Sequence, residues 1–89
     1  MPRYYFDLHN DMDVLDEEGK ELPDLRAVQA AALCEVREMA LASIADNGEL
    51  NLCHHIDVRD ESGAIVYVMR FEDAVTVKRG GKVLSQPPA

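Results

Sequence analysis

The chain has 89 residues, 47% hydrophobic and 6% aromatic, with no Trp. That length allows one domain with a marginal core, and the composition excludes a disordered chain. Its 17 acids against 9 bases give a formal charge of −8, which excludes a basic patch of the size nucleic-acid phosphates require, and no nucleic-acid partner is expected. No apolar run approaches the ~20 residues of a membrane span, so no membrane partner is expected either.

Arg3 to Asn10 reads as a half-buried strand, with Tyr4, Phe6 and Leu8 alternating against Tyr5, Asp7 and His9. Asn10-Asp11 is turn chemistry, Asp13 to Asp16 a short second strand or extended arm, and Asp16 to Gly19 a second turn. From Asp7 to Asp24 the chain carries eight acids and one base, Lys20. The segment reads either as solvated turns or as a surface for a basic protein partner, centred on Asp16, Glu17 and Glu18.

Asp24 is the N-cap candidate for a helix from Leu25 to about Asp46, a stretch free of Gly and Pro. Leu25, Val28, Ala32, Leu33, Val36, Met39, Ala40 and Ile44 share one side of it, while Cys34 and Leu41 lie off that stripe. Such a helix is about 33 Å long and a seven-residue strand about 23 Å. One end of the helix should therefore overhang the sheet.

Cys53 to Asp60 is the third strand and Asp60 to Gly63 a hairpin loop. Ala64 to Phe71 is the fourth strand; it is apolar on both faces, as a central or doubly covered strand would be. Val75–Val77 and Val83–Leu84, around Gly80-Gly81, predict a small terminal hairpin. The order strand, strand, helix, strand, strand predicts an α+β fold, an antiparallel sheet with one long helix on one face. Residues 1–77 are expected to form that single domain, and 78–89 a basic extension and flexible tail.

The alternation assigns the face away from the helix. If Phe6 and Ile56 point to the helix, then Tyr5, Asp7, His9, His55, Asp57 and Arg59 point away. One face of the fourth strand joins them, either Ile65, Tyr67 and Met69 or Val66 and Val68. His54 and His55 diverge, so a metal site would combine His55 and Asp57 with His9 or Asp7, a donor set suited to zinc or a similar divalent ion. Surface histidines at a strand start are the plainer reading, and no metal or other cofactor is expected. Asp11 to Asp16 lacks the ligand spacing of a calcium loop. No glycine loop cradles phosphate, and the only reactive-thiol candidate, Cys53 beside His54, has its neighbour pointing to the opposite face of a strand, so no enzymatic activity is expected.

The opening Met1-Pro2-Arg3-Tyr4-Tyr5-Phe6, the segment from Asp16 to Asp24 and the Ala-rich helix after it resemble a family of short, uncharacterised bacterial proteins, a domain of unknown function. The turn from Asp60 to Gly63 and the stretch from Met69 to Ala74 share in the resemblance, which covers Met1 to Val77 and implies no site residue. Glu21-Leu22-Pro23-Asp24-Leu25 is also similar to the small antitoxin domains of truncated ribonuclease-H-like fold, although Leu22 replaces the usual aromatic. That similarity implies a partner-binding regulator.

The expectation from the residues is a cytoplasmic, non-enzymatic module that forms a homodimer through its open sheet face or a sheet edge, with Tyr5, Tyr67 and Met69 as interface residues. The start of the chain lacks the pattern of a secretory signal, and two cysteines do not make a disulfide framework.

Overall fold

A computed structural model describes residues 1–88. The elements in chain order are β1 (Arg3–His9), β2 (Asp13–Val14), β3 (Lys20–Glu21), α1 (Leu25–Asn47), β4 (His55–Arg59), β5 (Ile65–Arg70), a 3₁₀ turn (Phe71–Asp73), β6 (Val77–Arg79) and β7 (Lys82–Ser85). The fold is α+β, as the strand–helix order predicts.

Alternation sets the sheet. β1 pairs antiparallel with β4 (Phe6 opposite Val58, Leu8 opposite Ile56), and β4 pairs antiparallel with β5 (Ile56 opposite Met69, Val58 opposite Tyr67). These apolar positions share the face beneath α1. On its other edge β1 pairs with both β2, at Leu8 and His9, and β3, at Arg3 and Tyr4. The order across the sheet is β2-β1-β4-β5.

α1 forms because its ends are capped and its inner stripe is apolar. The Asp24 carboxylate accepts from the Ala27 amide at 2.9 Å, and Gly48 closes the helix in the left-handed conformation, its N–H bonding Ile44 O. Val28, Ala32, Val36 and Ala40, one i, i+4 row, are buried against Phe6, Ile56, Val58, Met69, Phe71 and Ala74. The Arg37 guanidinium donates to Ala74 O at 3.0 Å and ties the helix to the 3₁₀ turn. Of the apolar stripe, Leu25 in the first turn of α1 and Ile44 near its end are exposed, and Leu41, off the stripe, is exposed as well.

Two details differ from the sequence reading. The second strand stops at Val14, and a further pair, Lys20–Glu21, returns to β1 beyond the Asp16–Gly19 turn. More consequentially, the doubly apolar fourth strand is not central. β5 is an edge strand, and no strand among the described residues pairs with its outer side. The terminal hairpin is present as β6 and β7, which form a separate two-stranded sheet.

Candidate functional site

The face of the sheet away from α1 carries most of the polar chemistry. Antiparallel register sets Tyr5 opposite Arg59, Asp7 opposite Asp57, and His9 opposite His55. Each strand contributes alternate residues, so all six side chains share one face.

At the centre, the Asp7 side chain is almost fully buried. It accepts from Nε and, at 3.2 Å, from Nη2 of Arg59, and from the Asp16 amide at 2.9 Å. Arg59 also lies 5.1 Å from the centre of the Tyr5 ring. Burial alone would raise the Asp7 carboxyl, but the Arg59 guanidinium and the Asp16 amide hold it below the ordinary carboxylate range. This pair is a closed structural lock.

At the end of the same face, His9, His55 and Asp57 converge. His9 Nε2 is 3.1 Å from Asp57 Oδ2, and His55 Nε2 is 3.5 Å from Asp57 Oδ1. The two imidazoles stack with centroids 5.0 Å apart. His9 Nδ1 lies 2.8 Å from Asp13 Oδ1 in β2. That hydrogen bond, with the charges of Asp57, Asp13 and Asp7 and against partial burial, raises the His9 pKa above the ordinary imidazole value. Of the two predicted options for joining His55 and Asp57, the structure brings in His9, while Asp7 is committed to Arg59.

The acidic arm between β1 and α1 has an internal task. Asp16 Oδ2 accepts from the Phe6 amide at 3.1 Å, where β1 has neither β2 nor β3 beside it. Asp16 Oδ1 accepts from the amides of Glu18 and Gly19, both at 3.1 Å. Burial would raise the Asp16 carboxyl, but the amides of Gly19, Phe6 and Glu18, with Lys20 nearby, hold it below its ordinary value. Asp16 is therefore withdrawn from the expected partner surface, because all three of these bonds are internal. Glu17 and Glu18 remain exposed.

With this geometry established, comparison with known proteins gives one match: the family described as a domain of unknown function, DUF6894, over residues 3–72. The chain belongs to that family. No curated protein and no solved structure matches it. The matched span of the DUF6894 chain includes β1 to β5 and every residue of the open face, and it ends before the β6–β7 hairpin.

The remaining sequence candidates fall as follows in the DUF6894 chain. Tyr67 and Met69 are not on the open face. Their register opposite Val58 and Ile56 turns them under the helix, where Met69 is buried and Tyr67 packs on the core. Their expected role as exposed interface residues is corrected accordingly; Val68, opposite Asp57, faces outward, and a bulge after Val58 sets Ile65 opposite Arg59. His54 diverges from His55 as strand geometry requires; it packs edge-on against Phe71 and lies 3.5 Å from Asp11. The hydroxyls of Ser43 and Ser62 donate to Glu49 O and Asp60 Oδ1. Sequence reasoning missed Asp13, whose only signal was its place directly across a tight turn from His9.

Proposed function

We propose that this DUF6894 chain is a small, non-enzymatic interaction module whose partner is a second copy of itself, paired edge to edge through β5. The observation that carries this reading is the free outer edge of β5 with three exposed apolar side chains, Ile65 (58% exposed), Val66 (37%) and Val68 (42%). An unpaired apolar edge is a template for another strand.

Charge supports a copy of the same chain as the occupant. A protein of net charge −8 repels itself over most of its surface, yet the stretch from Ser62 to Arg70 holds no acid. A two-fold antiparallel pairing of β5 with itself keeps the two Arg70 side chains at opposite ends of the seam. The ten-residue buried core leaves a small domain with a stability to gain from pairing. Two free, exposed cysteines support a reducing compartment, and we place the protein in the cytoplasm on that ground. No helix is long and apolar enough to cross a membrane.

Light scattering on a sizing column, over a wide concentration range under reducing conditions, tests the proposal. The expected mass is twice the 9.9 kDa of one chain. The double variant Ile65→Lys/Val68→Lys should run as a folded monomer by circular dichroism. A native protein that stays monomeric at high concentration, or a folded double variant that stays dimeric, would overturn it. A second reading, an acidic regulator of a basic protein, rests on Glu17 and Glu18, which enter no ion pair among the described residues. It requires salt-sensitive partner binding that Glu17→Lys/Glu18→Lys abolishes.

A further inference from the structure

We propose that His9, His55 and Asp57 form a three-ligand site for a divalent transition-metal ion of the zinc class, with the remaining coordination position open to solvent. One ligand atom from each residue lies within 4.8 Å of the other two. Two ligands held at about 2.1 Å by a tetrahedral ion stand about 3.4 Å apart. The Asp57 carboxylate reaches both rings, with Oδ2 3.1 Å from His9 Nε2 and Oδ1 3.5 Å from His55 Nε2, so it turns slightly to offer one oxygen to a shared ion. The two imidazole nitrogens, within 4.8 Å of each other on stacked rings, come together on the ion by rotation of the rings out of the stack.

The backbone fixes this arrangement. His9 and His55 sit directly opposite each other in the β1–β4 ladder, and Asp57 is two residues along on the same face. The far side of each imidazole is also engaged. Asp13 Oδ1 stands 2.8 Å from His9 Nδ1, and a carboxylate there accepts, so the Nδ1 proton points to Asp13 and Nε2 turns to the site. Cys53 O stands 3.5 Å from His55 Nδ1 and biases that ring the same way. A metal-binding histidine characteristically needs such an acceptor behind it.

The donor set selects the ion. Two imidazoles and one carboxylate suit zinc, cobalt, nickel or copper, whereas calcium and magnesium take mainly oxygen ligands in larger number. The three side chains are between 18% and 34% exposed, so an ion enters from the open face and a water completes its shell. Arg70, opposite His55 in the β4–β5 ladder, directs its guanidinium to Glu72 at 3.8 Å. The inference is independent of pairing through β5.

The test uses the full, untagged chain, stripped with chelator and titrated with zinc and then cobalt at about pH 8, because a metal displaces protons from its ligands. Calorimetry should give one ion per chain, and ring signals of His9 and His55, but not His54, should shift in nuclear magnetic resonance spectra. His55→Ala and Asp57→Asn should each weaken binding by tenfold or more. Asp13→Asn should weaken it about tenfold while keeping one ion per chain, because it disturbs orientation alone. His54→Ala and Cys53→Ser should bind as the native chain does, and circular dichroism checks that each variant folds. The absence of stoichiometric binding, an unchanged affinity in folded His55→Ala, or a loss in His54→Ala or Cys53→Ser would each overturn the proposal. In the first case His9, Asp57 and His55 are a cluster of ion-pair contacts only.

Discussion

Replacing Asp16 with Ala should destabilise the fold far more than an exposed acid would. The substitution removes three acceptor contacts, to the amides of Phe6, Glu18 and Gly19. Phe6 is buried, so its amide loses its partner where water has poor access, at about 1–2 kcal/mol. The other two amides lie in the turn and recover hydration in part, adding about 0.5 kcal/mol each. The sum is about 2–3 kcal/mol, or a melting temperature roughly 10–20 °C lower for a domain of this size. Asp16→Asn keeps one acceptor oxygen and turns an NH₂ group towards the other donors, so it should lose about half as much. Urea unfolding of the three proteins measures the order, and hydrogen exchange at the Phe6 amide reports the bond itself. The pH dependence has a defined sign. Asp16 is held below its ordinary pKa in the fold, so its contribution is present above the unfolded value near ~3.9 and is lost as pH falls through the folded value. The native and Asp16→Ala curves should therefore be widely separated above about pH 5 and converge in acid. An Asp16→Ala protein within about 0.5 kcal/mol of native, the scatter of ordinary surface substitutions, would refute the reasoning and return Asp16 to the free acidic surface.

Two further outcomes follow from packing and backbone geometry. Gly19 has φ +71°, and a Cβ built there would lie 2.9 Å from Tyr4 O, whereas Gly48 has φ +66° and open space around it. Gly48→Ala should cost about 1–2 kcal/mol, the left-handed conformation alone, and Gly19→Ala clearly more; equal urea midpoints would show that the close approach to β1 yields without strain. Ile56 is fully buried between β1 and β5, so Ile56→Val should cost about 1 kcal/mol and Ile56→Ala about 3–4 kcal/mol, read from the same unfolding curves.

Much of this fold was legible because its signals are local. The Asp24 cap, the apolar row of α1 and the Asn47-Gly48 stop lie within one continuous segment. Period-two alternation likewise placed His9, His55 and Asp57 on one face without any knowledge of register. What stayed hidden depends on the path of the chain. Asp16 reads as one more acid in a charged turn, yet its oxygens stand in for a missing stretch of ladder beside Phe6, and nothing nearby in sequence marks that gap. β3 was missed for the same reason: two residues paired with the start of β1 have no periodicity to detect. Apolar faces on both sides made Ala64–Phe71 look central, since composition reports burial but not which strand is outermost. Tyr67 and Met69 were misplaced as a direct result, as one alternation phase buries them and the other exposes them.

The two sides of this sheet are finished differently, and that difference limits how large an assembly can become. A sheet with both borders available adds copies without end and grows into a fibre. Here one border is cut into two-residue pieces, β2 and β3, with the Asp16 carboxylate between them, while the other is the six-residue edge of β5. In the proposed β5 pairing, growth uses up the bare border and leaves only the interrupted ones outward, so assembly is expected to end at two copies. On this view the acidic arm acts as a chain stopper, and its loss would show first as turbidity.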